Sequence, residues 1–176
     1  MFIPELTTRV SVEMNTKELD SAIDMIKSDP ILGEIDSLVT ELEDAKTKIT
    51  DLQEPLVDGV ADRLSSIQEL IIQSKHYKTG LMSNSSDISQ DGDDRLVGNT
   101  ASSPLGFPYP LAIENGSVDH WVAPVTFSVL HWVQDGKDMF SKGHMVSGIK
   151  ADPFVEPSIE NTVREIDDII NEIWGD

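Results

Sequence analysis

The chain of 176 residues carries 13 Lys and Arg against 32 Asp and Glu, a formal charge of -19 at neutral pH, and contains no cysteine. That length suits one domain with a real core plus a helical extension. The charge repels phosphate backbones and anionic lipid, which argues against nucleic acid or a membrane surface as primary partner. The missing thiols exclude disulfides, thiolate zinc sites and a cysteine nucleophile. Such an excess of solvated carboxylates also suits concentrated salt, where the Debye length shrinks to a few ångström and self-repulsion is screened. Met1-Phe2-Ile3-Pro4-Glu5 has neither a basic stretch nor a long apolar one, so no secretory leader is expected. No apolar run reaches the roughly eighteen residues of a membrane span. A soluble protein made in the cytoplasm is the expectation.

Arg9-Val10-Ser11-Val12-Glu13-Met14 alternates apolar and polar and predicts a short N-terminal strand. Asn15 or Thr16 is placed to cap a helix with Leu19, Ile23 and Ile26 on one side, interrupted at Asp29-Pro30. Ile35, Leu38, Leu42, Ala45, Ile49, Leu52 and Leu56 then recur every three or four residues, one stripe of a helix that Pro55 kinks or restarts. A second register through Val57, Val60, Leu64, Ile67 and Ile71 carries the helical region to about Lys75. These stripes either cover a sheet, pair with each other, or form a seam between subunits. The chain is thus divided at 56, a strand and helical extension over 1–56 preceding a domain over 57–176.

From Thr79 the pattern turns to short segments rich in Ser, Gly, Asn and Pro. Leu81 to Ser89 and Arg95 to Ala101 flank Gln90-Asp91-Gly92-Asp93-Asp94, which predicts a long-looped hairpin. Thr126 to Trp132 and Lys137 to Ser141 flank Asp135-Gly136 and predict a second. That makes an antiparallel sheet of four strands, or five with the N-terminal one. Asp152 is placed to cap a last helix with Pro153 at its first position, and Ile159, Val163, Ile166, Ile170 and Ile173 form its apolar stripe, with Trp174 at the edge.

Enzymatic motifs find no support. Lys78-Thr79-Gly80 and Ser147-Gly148-Ile149-Lys150 superficially match elements of serine β-lactam-binding enzymes, but in the reverse order. His76, His120, His131 and His144 lack the paired spacing of a metal site. Asp87, Asp91, Asp93 and Asp94 do not follow the ligand spacing of a calcium loop, and the Asn-x-Ser triplets at Asn84 and Asn115 carry no weight. No catalytic residue, metal or cofactor is expected. Trp121, Phe127, Trp132, Phe140, Phe107 and Tyr109 lie in a stretch short of aliphatic residues; each fills the core or anchors a neighbour, core being the commoner fate.

The order of parts resembles the tail-completion family of long-tailed phages, proteins of the neck between head and tail. Ser74-Lys75 precedes Thr79-Gly80-Leu81; Val97-Gly98-Asn99, Pro108-Tyr109-Pro110, Ile113-Glu114 and Gly116 follow. Leu130-His131-Trp132, Asp135-Gly136 and Met139-Phe140-Ser141-Lys142 match a hairpin insertion, and Lys150-Ala151-Asp152-Pro153-Phe154-Val155-Glu156-Pro157 matches the segment before the final helix. The match spans residue 57 to the C-terminus; the helices before Pro55 are longer than the pattern, and Glu156 stands where a basic residue is common. The resemblance implies an α+β domain, an antiparallel sheet covered by the long N-terminal helical region and the C-terminal helix, closing into a homo-oligomeric ring, hexameric to match the tail tube. Its partners would be the head connector or stopper and the tail terminator or tube proteins, with DNA passing through the ring unbound and the virion as its location. Tyr109, Ile113, Trp121, Trp132 and Phe140 are then the candidate contact residues, and Asp91, Asp93 and Asp94 the candidate channel-facing loop. A tail terminator ring, or an acidic helical adaptor pairing through its heptad stripe, are the competing expectations.

Overall fold

The computed structural model describes residues 6–28, 36–76, 80–103 and 106–175. Ile35, Asp29-Pro30 and the Tyr77-Lys78-Thr79 part of the motif run lie outside them. The fold is α+β, with strands β1 (Leu6–Val10), β2 (Ser86–Asp91), β3 (Asp94–Asn99), β4 (His120–Val122), β5 (Leu130–Gln134), β6 (Lys137–Ser141) and β7 (His144–Val146). The helices are α1 (Lys17–Ser28), α2 (Asp36–Asp51), α3 (Gln53–His76), α4 (Tyr109–Asn115), α5 (Val155–Arg164) and α6 (Ile166–Trp174).

The single sheet of four to five strands is not formed. Three strands pair antiparallel in the order β1-β3-β2, while β4 pairs with β7 and β5 with β6 as separate two-stranded ladders. The reason is burial. β3 reads Leu96-Val97-Gly98-Asn99, and four of its six residues, Arg95 and Val97 to Asn99, are buried in the body, whereas β5 and β6 bury none of theirs.

α3 is the centre of the core. Its Val57, Ala61 and Leu64 pack with Val10 of β1 and Val97 of β3. Farther along, Ile72 joins Met82, Ala101 and Phe154, with Ile113 and Val155 packed at the edge. Pro55 sits in the first turn of α3, where its missing N–H breaks no hydrogen bond, so the helix restarts at Gln53. Asn15 and Thr16 share the start of α1: the Asn15 Oδ1 accepts from Lys17 N at 3.2 Å and the Thr16 carbonyl from Asp20 N at 3.0 Å. α1 lies antiparallel to α2, tied by Lys46 to Asp20 at 2.5 Å and Lys27 to Glu43 at 2.7 Å. The hydrogen bond from Lys46 holds the Asp20 carboxyl below its usual range.

Four boundaries differ from expectation. β1 begins at Leu6 rather than Arg9, since its pairing runs Leu6↔Asn99 to Val10↔Arg95. Leu81 to Asn84 form a turn, closed by Asn84 N to the Gly80 carbonyl at 3.0 Å, and the strand starts only at Ser86. The hairpin loop there is short, because Asp91 pairs directly with Asp94. β5 starts at Leu130, four residues after the expected Thr126.

The final helix is two helices meeting at Glu165, whose carboxylate is held by Arg63 of α3; the same guanidinium reaches Glu172 at 3.1 Å. Its buried side takes in only part of the expected stripe: Ile166 and Ile173 are half-buried, with Ile173 lying over Gly59 of α3. Phe154, Ser158, Thr162 and Ile169 face inward, while Ile159, Val163, Ile170 and Trp174 are exposed. Small residues let α5 approach α3 closely. Their hydroxyls are satisfied locally, Ser158 Oγ donating to the Phe154 carbonyl at 2.5 Å and Thr162 Oγ1 to the Ser158 carbonyl at 2.9 Å.

Candidate interaction surface

No residue between Pro110 and Phe154 is buried. Within that stretch residues 116–151 form an arm, and its root is built with more care than its tip. α4 ends at Gly116, at φ +74, where a Cβ would lie 2.8 Å from the Ala151 backbone nitrogen. Only glycine suits both the backbone angle and the space. The returning strand docks beside it: Ser117 N donates to the Ile149 carbonyl at 2.9 Å, Ile149 N to Ser117 Oγ at 3.1 Å, and Gly148 N to Asp119 Oδ1 at 2.8 Å. A Cβ on Gly148 would fall 1.9 Å from the Ser117 carbonyl oxygen, so no other residue fits there.

Beyond the arm, Asp152 N donates to the Ile113 carbonyl at 2.9 Å. The expected cap of the last helix is replaced. Asp152 instead faces Lys75 at 3.3 Å, and the first amides of α5, Phe154 N at 2.9 Å and Val155 N at 3.3 Å, donate to the Glu114 carboxylate of α4. A carboxylate at that place also suits the positive end of the helix dipole. Glu114 holds the arm root in a way that local sequence rules miss, because its partner lies forty positions away.

Above the root, β4 and β7 pair through His120↔Val146 and Val122↔His144, and β5 and β6 through Leu130↔Ser141 to Gln134↔Lys137 around Asp135-Gly136, with Asp135 at φ 52. Trp132 bridges the two ladders by packing on His144 at 5.1 Å. His131 stacks on Phe140 at 4.8 Å and meets Asp138 at 2.8 Å. Two-stranded ladders with one solvated face are marginal by themselves. Even so, the arm holds out Trp121 at 62 %, Phe127 at 79 % and Phe140 at 64 % exposure.

The candidate contact residues thus separate. Trp121 and Phe140 are open on the arm and Trp132 is half-buried within it. Tyr109 is exposed at the start of α4 beside Phe107, the rings 5.9 Å apart edge to face. Ile113 is half-buried against the core and belongs to the body.

The candidate channel loop is partly neutralised. Arg9 of β1 reaches Asp91 at 2.5 Å and Asp94 at 2.6 Å, a cation that the sequence pattern did not place there. Those two hydrogen bonds push the guanidinium pKa up. Asp93 instead borders a polar cavity of about 510 Å³ with Asp51, Glu54 and Arg95. Ser147 and Lys150 are both exposed at the arm root. Among the described residues no three acidic, His or Cys side chains converge as metal ligands do. Nor is any helix long and apolar enough to cross a membrane.

Scans against protein-family models, curated proteins and solved structures found no match to this chain.

Proposed function

We propose that the chain is a structural protein of a tailed virus, a ring subunit of the neck that joins the head connector to the tail and surrounds the DNA channel. Support for assembly comes from one observation: a continuous stretch from 111 to 153 without a buried residue, carrying exposed Trp, Phe, Val and Met. Large apolar side chains exposed in such number within one segment mark a protein interface.

The neck in particular is proposed from the order of sequence motifs, and tail completion is preferred to a terminator because that order runs through the arm and into α5. The overall charge of -19 suits a channel through which DNA slides without sticking. A second reading, an acidic adaptor, is favoured only by α1, whose Ala22, Met25 and Ile26 line an open apolar groove. Mass photometry and negative-stain imaging of the purified chain decide between them. Closed rings of about six copies support the neck protein; a monomer at every concentration, or a two-stranded coiled coil, overturns it. Absence of the chain from purified virions would overturn it as well.

A further inference from the structure

The charge of the chain is distributed unevenly in a way that singles out the arm. Residues 116–151 hold three Lys (Lys137, Lys142, Lys150) and three Asp (Asp119, Asp135, Asp138), with no Arg or Glu, so the arm is neutral. The rest of the chain carries the entire net charge of -19. None of the three lysines has a carboxylate partner among the described residues. An acidic body repels its own copies, and a neutral apolar arm with lysines at its rim is the part that meets least repulsion.

On the body, one surface complements it in both respects. The outer side of α5 and α6 is apolar, with Val163 and Trp174 each 63 % exposed and Ile159 and Ile170 on the same side. It is also acidic, because α5, α6 and the Glu165 between them carry six carboxylates and one arginine. Arg63 and Arg164 engage Glu165, Glu172 and Glu160. Glu156, Asp167 and Asp168 have no cation among the described residues. The helices of the N-terminal hairpin match less well: they are acidic too, but Lys27 and Lys46 already engage Glu43 and Asp20 there, and their open apolar groove lies on α1, which carries Lys17 and Lys27 against Glu18, Asp20 and Asp24.

We infer that the arm of one copy docks on the outer face of α5 and α6 of a second copy, seating Trp121, Phe127 and Phe140 against Val163, Ile170 and Trp174, with Lys142 facing Glu156, Asp167 and Asp168 and Lys137 approaching them from the turn end of the hairpin. This rests on the ring reading and names its contact. Both surfaces lie open in the same chain, so they are not satisfied internally. Two different patches that bind each other repeat head to tail, and such a contact closes into a ring or grows as a filament.

The chain has no cysteine, which makes the test direct. F140C and V163C are prepared separately, both at exposed positions, and mixed under oxidising conditions. The expected product is the F140C–V163C disulfide, in clear excess over either self-linked pair, and the double variant should give a ladder of covalent oligomers. A predominant F140C–F140C product means that arms pair with arms and overturns the contact. Rings of the unmodified chain seen by imaging, without the mixed disulfide, also overturn it while leaving the ring reading in place. A chain that is monomeric at every concentration removes both. In a second measurement, K137E/K142E raises the concentration needed for assembly by about tenfold or more, and D167K/D168K combined with it restores assembly. Failure of that rescue, with both variants folded, counts against the docked orientation.

Discussion

The body and the arm use the same kinds of side chain to opposite ends. In the body Phe154 is almost completely enclosed by Ile72, Met82 and Ala101. In the arm Phe140, on a ladder of two strands, and Phe127, in the bend before it, stand in water. An aromatic residue therefore reports nothing until its neighbours are known; what separates the two is whether a helix lies over the strand. α3 covers β3, and among the described residues no helix covers β5 or β6. The stability of the molecule resides in the first region and its capacity for contact in the second.

The sharpest way to break this contrast is to remove the enclosed ring. Phe154→Ala should cost about 3–5 kcal/mol in chemical denaturation, and a loss under about 1 kcal/mol would show that the body is not held together there. Next in size is Glu114→Ala, which leaves the first amides of α5 without their acceptor and should cost about 1 kcal/mol by the same measurement. Phe140→Ser tests the other side of the comparison. Stability should stay within about 0.5 kcal/mol of the parent, as for other exposed positions, while assembly measured by mass photometry is lost.

The smallest effect is a pH dependence confined to α1 and α2. The Asp20 carboxyl is depressed when folded, so its bond to Lys46 contributes stability at pH above the unfolded carboxylate value. That contribution disappears as the pH falls through the lower folded value. Amide protection factors in α1, corrected for the intrinsic pH dependence of exchange, should therefore fall on acidification before those in α3 change, and Asp20→Asn should remove the difference.

Local signals in the sequence carried the helical elements well. Asn15-Thr16, Pro55 and the apolar spacing of α3 act within one or two turns, so their consequences can be read from neighbours in the chain. Asp135-Gly136 likewise places its hairpin turn without outside help. The stripe on α5 and α6 misled because hydrophobic spacing reports which residues share a side but not which side is enclosed. Ser158 and Thr162 won the inner position by being small. The division of the strands into three sheets, and the capture of α5 by Glu114, depend on contacts between distant segments, which no local pattern encodes. Among the candidate contact residues, Trp121 and Phe140 stand in solvent, whereas Ile113 packs where an aliphatic side chain most often does, against the core.

One detail of the arm root reaches beyond this chain. Because the Ile113 carbonyl receives Asp152 N and Glu114 receives Phe154 N, the two ends of the intervening excursion are stitched to each other before it begins. Lengthening such an excursion adds only slowly to the entropy of closing it. The segment can thus be shortened, extended or exchanged for another while the helices beneath keep their place, a plug-in site through which a lineage can acquire a new neighbour without inventing a new fold.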